Sequence, residues 1–231
     1  MTAISEHRAL MERVAACRAC PRLVEHRERA GVEKVRRYRE WDYWARPVPA
    51  FGAPDAELCI VGLAPAAHGG NRTGRMFTGD PSADFLAAAL HAGGFASQPT
   101  SRHRGDGLTL INAYITSAVK CAPPANQPNA EEQARCLPYL IEELRLMPNL
   151  KAVLGLGKLG FDAYLRTAQA MGLPRPRGVV FGHGVRYDLG DGFPTLFGSY
   201  HPSPHNTYTG RLTHDGLVDV LNDIQAFLRG A

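Results

Sequence analysis

A long glycine-rich segment, residues 62–80, is the feature that most constrains how this chain can fold. It directly follows residues 58–61, a short apolar run that is typical of a buried strand. Five glycines allow the backbone of the segment to adopt positive φ, and its polar residues follow no apolar period. Helical patterning resumes only at Pro81, after Asp80, which is suited to cap a helix. The sequence therefore predicts a strand, a long loop and a helix, with the loop where open α/β sheets bind ligands.

The remaining sequence alternates strand-like and helix-like patterns. The further strand-like runs are residues 108–119, 152–156, 185–189 and 195–197. Helix-like patterns separate most of them, and Pro138 is expected to shorten or kink the helix that Asn129 caps. We therefore expect an α/β fold, a three-layer α/β/α sandwich with a short, mainly parallel, four-stranded sheet. The length of 231 residues is compatible with a single domain, residues 1–231, that carries an N-terminal arm at about 1–50.

The charged residues favour some ligands and exclude others. The net charge is +4, and only a few of the 26 basic residues are lysines. Arginine makes planar, two-pronged contacts with phosphate, which favours a nucleotide or a nucleic acid as ligand. No apolar stretch approaches the length that crosses a bilayer, and the first residues are charged and helix-like, unlike a signal peptide. We expect a cytoplasmic protein that has no membrane partner.

Residues 22–46 combine a basic excess with four aromatic residues, Tyr38, Trp41, Tyr43 and Trp44. Basic stretches with aromatic residues can lie along a nucleic acid backbone. A solvated helix followed by aromatic residues that pack on the core as a lid explains the composition equally well. The sequence leaves these two interpretations open.

Five cysteines in a chain of this class favour a metal centre over a disulfide framework. Cys17 and Cys20 form a C-x-x-C turn, and Cys121 and Cys136 lie far along the chain, next to a proline-rich turn and a helix start. These four could bind a [4Fe–4S] cluster or a tetrahedral zinc ion, or the first pair alone could bind a ligand. Cys59, within the first apolar run, is most simply a core residue.

Five motifs in order along the chain resemble those of one family. They are CRACPRL at 17–23, YWARPVPAFG at 43–52, GLAPAAHGGNRTGRMFTGD at 62–80, VKCAPPANQP at 119–128 and SYHPSPHNTYTGRLT at 199–213. Together they cover nearly the whole chain and are similar to the uracil-DNA glycosylase superfamily, within it to the iron–sulfur-containing family 5, or type B, enzymes.

The resemblance implies a DNA repair activity. It implies hydrolysis of the N-glycosidic bond of uracil and other deaminated bases, hypoxanthine and xanthine, after the damaged nucleotide has been flipped out of the duplex. It also implies a structural [4Fe–4S] cluster held by Cys17, Cys20, Cys121 and Cys136. We expect the partner to be double-stranded DNA containing deaminated bases and the protein to act as a monomer.

The resemblance assigns several residues to the site. His201 stands where the superfamily has the histidine that donates a hydrogen bond to the uracil O2, and Phe77 matches the aromatic residue that stacks on the base. The substrate-binding set is Gly62, Ala64, Pro65, Ala66, Phe77, Ser117 and His201. The DNA-binding set is Asn206, Arg211, Arg72 and Arg75, since Asn206 and Arg211 follow the histidine loop and the other two lie in the glycine-rich segment.

Two departures from the superfamily pattern matter for mechanism. Residues 62–65 lack the polar residue that orients water in other branches, so we expect Asp80 to take that role with help from Asn126. The alternative is that Asp80 is only a helix cap. Ser117 replaces an asparagine of the related iron–sulfur family, which predicts a pocket that tolerates several bases.

Two other functions stay open at this stage. A catalytically weak DNA-binding protein on the same scaffold would explain the missing polar residue. A redox protein is disfavoured because the sequence has no flavin or dinucleotide fingerprint.

Overall fold

The computed structural model describes residues 3–190 and 192–230. Asp191, in the predicted turn between the last two strand-like runs, lies outside the described residues. Within them, eight α-helices and six strands alternate along the chain. The strands are β1 (Phe51–Gly52), β2 (Leu58–Gly62), β3 (Ala113–Ser117), β4 (Ala152–Leu156), β5 (Val185–Tyr187) and β6 (Thr195–Ser199). The helices are α1 (Ala3–Ala16), α2 (Pro21–Glu33), α3 (Gly70–Thr73), α4 (Pro81–Ala92), α5 (Ala130–Arg145), α6 (Gly157–Ala170), α7 (Pro204–Tyr208) and α8 (His214–Gly230).

The strands form one sheet in the order β1-β3-β2-β4-β6-β5. The four central strands β3, β2, β4 and β6 are parallel, as predicted, and the short edge strands β1 and β5 are antiparallel. The predicted fold class is therefore confirmed, with two more strands than expected. β1 is only two residues long, too short for a clear alternating pattern, whereas β5 lies within the strand-like run at residues 185–189 and joins the sheet as a short edge strand.

Side-chain alternation along β2 explains the three layers. Leu58 and Ile60 point into a core shared with α4 and α8, whereas Cys59 and Val61 point into a second core shared with α5 and α6. Both faces of the sheet are thus covered, as a parallel sheet requires. Cys59 is fully buried in the second core, which agrees with its interpretation as a core residue.

Local signals set several helix ends. The carboxylate of Asp80 accepts from the backbone N–H of Ala83 at the start of α4, and Asn129 and Glu132 form a reciprocal capping box at the start of α5. Of the two effects expected of Pro138, shortening does not occur, because α5 continues to Arg145, and the kink stays a prediction. Packing of the apolar face of α5 on the sheet offsets the hydrogen bond that a proline removes.

Two further differences concern loops. The predicted strand at residues 108–119 is shortened to β3, because the chain turns at Asn112, which adopts positive φ. The glycine-rich segment contains one helical turn, α3. No helix among the described residues is both long enough and apolar enough to cross a membrane.

The chain order of the strands defines where a ligand can bind. From β2 the chain moves to β3 on one side, and then crosses back to β4 and β6 on the other. The order therefore reverses between β2 and β4, and the loops that follow these strands diverge there and leave a crevice. The glycine-rich segment follows β2, and the histidine loop follows β6.

Candidate active site

A cavity of about 620 Å³ opens at the carboxyl ends of the central strands, and we call it the strand-end cavity. Its size lies within the range of roughly 300–1,000 Å³ typical of small-molecule sites. The predicted site residues in its wall are Ala64, Pro65, Ala66, Phe77, Asp80, Asn126, His201, Asn206 and Arg211. The cavity therefore joins the glycine-rich segment, the turn after β3 and the histidine loop.

Phe77 and His201 contact each other across this cavity. Their ring centroids lie 5.8 Å apart with an angle of 36° between the ring planes. Glycines at two strand ends make room for them: a Cβ atom at Gly62 would lie 2.9 Å from the Phe77 ring, and one at Gly157 would lie 3.1 Å from Cβ of His201. The two rings can therefore meet the same planar ligand.

His201 is held as a neutral imidazole. Burial lowers its pKa to about 4, because few polar groups compensate an imidazolium charge there. Its backbone carbonyl accepts hydrogen bonds from Asn206 Nδ2 and from the backbone N–H of Ser203, both at 2.8 Å, which fixes the loop. Among the described residues neither ring nitrogen has a hydrogen-bond partner, and the residue lines the cavity, so its imidazole is available to a ligand.

Phe77 has a strained backbone, with φ at +44°. A residue with a bulky side chain adopts this conformation only when its surroundings impose it. The Oγ of Ser101 donates to the Phe77 carbonyl at 2.9 Å, and the same hydroxyl pairs with Thr78 Oγ1 at 2.8 Å. Arg75 donates to both hydroxyls, so a buried network holds Phe77 against the cavity.

Asp106 accepts from Arg75 and so extends the hydrogen-bond network that holds Phe77. Its Oδ2 accepts from Arg75 Nη2 at 2.8 Å and from the backbone N–H of Arg102 at 2.7 Å. Burial acts to raise the pKa of the Asp106 carboxyl, but these donors outweigh it and hold the pKa well below its usual range. The carboxylate is therefore charged and bonded at neutral pH, and it fixes the Arg75 guanidinium.

Asp80 both caps α4 and lines the strand-end cavity. Oδ1 caps α4 through the N–H of Ala83 at 2.9 Å, whereas Oδ2 packs against Gly69, where any Cβ atom would collide with it. Burial raises the pKa of this carboxyl above its ordinary value. Asn126 also lines the cavity, on an exposed turn with φ at +56°, a conformation that asparagine tolerates. The helix-cap interpretation of Asp80 is confirmed, and its position in the cavity wall leaves a second role open.

The aromatic residues of the arm pack on the glycine-rich segment. Tyr38 and Trp41 stack on the Arg72 guanidinium, with Cζ 3.7 Å and 4.1 Å from the ring centroids. The same guanidinium donates to the Gly79 carbonyl at 2.6 Å, and the Trp44 ring lies against Gly74. For these aromatic residues the structure therefore favours packing over exposure to a nucleic acid.

The four predicted cysteine ligands surround one small cavity beneath the arm, and we call it the cysteine cavity. Cys20, Cys121 and Cys136 are buried, and Cys17 is partly exposed. Burial raises the pKa of Cys121 to about 12 and that of Cys136 to about 11, so thiolates there require compensating positive charge. Within the described part of the chain, no three His, Cys, Asp or Glu side chains converge closely enough to hold a metal ion in the present arrangement.

The side chain of Arg27 places a positive charge beside these thiols. Its side chain is only 2% exposed and its Nη1 donates to Cys121 Sγ at 3.0 Å, while its Nε has no partner within the described structure. A buried cation with an unpaired N–H beside four sulfurs suits an anionic sulfur-containing group. The Arg27 carbonyl accepts from Nδ2 of Asn71, which links the cysteine cavity to the glycine-rich segment.

Comparison with known protein families shows the family to which this fold and site belong. Residues 49–225 match the family described as the uracil DNA glycosylase superfamily. The chain belongs to this superfamily.

Similar proteins show to which branch of the superfamily the chain belongs. A type-5 uracil-DNA glycosylase from Mycobacterium tuberculosis is 48% identical over 211 residues, 91% of this chain and 77% of that protein. Those from Pyrobaculum aerophilum and Thermus thermophilus are 48% and 45% identical, over 91% and 94% of this chain and 88% and 95% of their own lengths. A type-4 enzyme of Pyrobaculum aerophilum is 33% identical over only 56% of this chain. The predicted membership in family 5 is confirmed.

Two residues of the predicted substrate-binding set do not line the strand-end cavity of this superfamily member. Gly62 lies behind the Phe77 ring, where it provides space. Ser117 is fully buried, and its hydroxyl donates to the Val119 carbonyl at 2.9 Å. Neither residue therefore lines the cavity, and both instead support residues that do: Gly62 lies against Phe77, and Ser117 Oγ lies 3.8 Å from the sulfur of Met76. A direct contact of either residue with the substrate stays a prediction.

The predicted DNA contacts of Arg72 and Arg75 also need correction. The guanidinium of Arg75 is buried and engaged by Asp106, Ser101 and Thr78, so the prediction that it contacts DNA is wrong. Arg72 is 2% exposed, so it is not a surface contact and could meet a phosphate only at the floor of a cavity. Sequence patterns could not show this, because buried arginines are rare and depend on partners from distant segments.

Several residues of the site were missed by the sequence analysis. Met76 and Tyr200 line the strand-end cavity next to Phe77 and His201, and Leu156 closes its floor. Gly157, with φ at +74°, begins α6 directly after β4 and clears space for His201. Its position at the end of a predicted strand was a usable signal, since ligands bind at such ends.

Proposed function

We propose that the protein is a monofunctional DNA glycosylase that hydrolyses the N-glycosidic bond of uracil and of other deaminated bases in DNA and leaves an abasic site. The observation that carries the proposal is the convergence of Phe77 and His201 on one cavity at the reversal of the strand order. A base can reach such a recessed site only if its nucleotide is flipped out of the stack. We propose that the enzyme acts as a monomer on double-stranded DNA.

His201 stabilises the leaving base. Breaking the bond places negative charge on the base and positive charge on the sugar. A neutral imidazole donates one hydrogen bond to the base oxygen as its charge grows, and the lowered pKa keeps His201 neutral at physiological pH. Phe77 stacks on the base, and its fixed backbone orients that ring.

Asp80 and Asn126 orient the attacking water. Both line the strand-end cavity, whose apolar side chains around them strengthen polar interactions. The water adds its oxygen to C1′ of the sugar as the bond between C1′ and the base breaks, and it gives one proton to the Asp80 carboxylate, from which the proton passes to the departing base anion. A raised pKa suits Asp80 to attract that proton, because a more basic carboxylate accepts it more readily.

The pocket accepts several bases. Ser117, which replaces an asparagine of the related family, points away from the cavity and reads no base edge. The volume of about 620 Å³ exceeds the needs of a pyrimidine and leaves room for a purine such as hypoxanthine or xanthine. Recognition therefore rests on stacking and one hydrogen bond, which discriminate weakly between planar bases.

A structural [4Fe–4S] cluster held by Cys17, Cys20, Cys121 and Cys136 completes the fold beneath the arm. The four cysteines of the cysteine cavity form the thiolate donor set of such clusters, and the unpaired Nε of Arg27 supports an anionic occupant. When bound, the cluster supplies cross-linking between the arm and the sheet. We assign it no part in the chemistry.

An abasic-site assay tests the proposal. The purified protein is incubated with matched duplexes that carry uracil, hypoxanthine, xanthine or no damage, and strand scission at abasic sites is measured. We expect release of uracil and of at least one purine, and none from the undamaged duplex. Release of uracil alone would contradict the tolerant pocket. Tight binding without release of any base would favour the catalytically weak DNA-binding alternative.

A further inference from the structure

A second cavity, of about 340 Å³, lies beside the strand-end cavity and has no role in the chemistry described above. Arg37, Tyr38 and Trp41 of the arm form one side of it, and Arg72 and Arg102 line it as well. The start of α4 forms the opposite side. We call it the arginine cavity.

Arg72 carries an unmet hydrogen bond at this cavity. Its side chain is 2% exposed, and Nε and Nη2 are satisfied by the carbonyls of His68 and Gly79 at 2.7 and 2.6 Å. Its Nη1 is buried and has no partner within the described structure. Buried guanidinium groups are normally paired, and Arg72 lines the arginine cavity without an ion-pair partner among the described residues, so its positive charge favours an anion there. The two rings that stack on Arg72 hold this group in place.

Arg37 and Arg102 add charge at the rim. Both are exposed, and neither forms an ion pair with any described residue. Asp84 and Asp80 stand opposite, but the Asp80 carboxylate already accepts from the backbone at the start of α4. The cavity wall thus carries three guanidinium groups, of Arg37, Arg72 and Arg102, and two carboxylates, of which that of Asp80 already accepts a backbone hydrogen bond. The net positive charge favours a singly charged anion. A phosphodiester has that charge and accepts several hydrogen bonds.

The two cavities share a wall formed by Asp80 and Pro81. A nucleotide whose base fills the strand-end cavity therefore has its neighbour in the strand close to the arginine cavity. We propose that the arginine cavity binds a backbone phosphate of the DNA strand next to the flipped nucleotide. This inference rests on the proposed function for the DNA substrate, and it gives the N-terminal arm a direct role in holding that strand.

The test measures DNA binding and not base release. The double variant Arg37→Ala/Arg102→Ala is compared with Arg145→Ala/Arg229→Ala, which removes the same charge from two exposed helix ends. Affinity for a duplex containing a stable abasic-site analogue is measured at several salt concentrations. We expect the first variant to bind about tenfold more weakly, and the slope of log K against log salt to fall by about 0.9, the value for one lost phosphate contact. The control variant should keep the wild-type slope.

Two other outcomes overturn the inference. Equal slopes for the two double variants would show that only net charge matters. Binding of inorganic phosphate, measured by calorimetry and lost in Arg37→Ala/Arg102→Ala without any change in the DNA slope, would assign the cavity to free phosphate. A protein that binds DNA as expected here but releases no base would contradict the proposed glycosylase function and support the phosphate site. Failure of the function and failure of this inference are therefore distinguishable.

Discussion

The ring of Phe77 lies 5.8 Å from the imidazole of His201, centroid to centroid, although one residue follows β2 and the other follows β6. Gly62 and Gly157 leave the space that each ring occupies. The contact therefore depends on the glycine-rich segment, the histidine loop, the two glycines and the order of the strands in the sheet. Each of these dependencies can be perturbed separately.

Replacing His201 by Asn removes the imidazole donor. We expect the single-turnover rate of uracil release to fall on the order of 10²–10³-fold, the cost of losing one donor to a developing anion. Binding to an abasic-site duplex should change little, because the interaction forms mainly in the transition state. His205→Asn, four residues further on in α7 and exposed, is the control. Equal rates for the two variants would refute the role of His201.

The pH dependence of base release separates His201 from Asp80. The pKa of His201 is lowered to about 4, so above that pH its imidazole stays neutral and able to donate. Burial raises the pKa of Asp80, so as the pH falls its carboxylate is protonated at a higher pH than that of an ordinary aspartate. We expect the rate to decline on the acid side above the ordinary aspartate value of about 3.9.

Asp80→Asn provides the matched test of that assignment, because asparagine also caps helices. We expect a plateau rate about 10²-fold lower and no acid limb, measured by single-turnover rates between pH 4 and 8. A variant that keeps the wild-type rate and profile would reduce Asp80 to a helix cap.

Ser101→Ala should disturb Phe77 without touching the ligand. The substitution removes the donor to the Phe77 carbonyl and leaves Thr78 and Arg75 short of a partner. We expect a loss of about 1–3 kcal/mol in the free energy of unfolding and slower base release at saturating enzyme. Chemical denaturation and single-turnover rates measure the two effects. Ser97→Ala, which removes only an exposed bond to the Thr109 N–H, should leave the rate unchanged.

Cys121→Ser should abolish the iron content and the visible absorbance of the purified protein. Since the arm would then lose the proposed cross-link to the segment after β3, we expect a lower melting temperature and a loosened glycine-rich segment, through Arg27 and Asn71. Metal analysis, absorbance and thermal unfolding give the readouts. Cys59→Ala, in the core of the sheet, should retain the iron. Full iron in Cys121→Ser would exclude this residue as a ligand.

A buried ion pair holds the chain just before Cys121. Nζ of Lys120 lies 2.8 Å from Oε2 of Glu143, and both side chains are at most 2% exposed. Glu143→Gln leaves the ammonium buried without its counter-charge and should cost about 3–5 kcal/mol of unfolding free energy. The double variant Lys120→Met/Glu143→Leu should recover most of that loss, as measured by denaturant titration. Equal destabilisation of both variants would contradict the electrostatic explanation.

Much of this architecture could be predicted because its signals are local. Asp80 before Pro81 and Asn129 before Glu132 mark helix starts by their own side-chain chemistry, and both caps are present. The apolar runs of β2 and β4 are continuous because parallel strands are buried on both faces. The edge strand β1, of two residues, is too short to carry such a signal.

The site was only partly predictable, because burial is a property of the assembled fold. Arg72 and Arg75 have the sequence appearance of loop cations, yet one is enclosed between Tyr38 and Trp41 and the other is bonded to Asp106. Ser117 is the last residue of β3, at the strand end nearest the cavity, but its hydroxyl donates to the Val119 carbonyl. No local pattern specifies these partners.

The sequence by itself determined the family, the parallel core of the sheet and the identity of the residues that carry the proposed chemistry, because motifs, caps and apolar runs act over a few neighbouring residues. Only the tertiary structure decided which of those residues meet in one cavity, which charges are buried, and that a second, arginine-lined cavity adjoins the first. Those outcomes depend on contacts between segments far apart in the chain, whose free energies exist only once the sheet has brought the segments together.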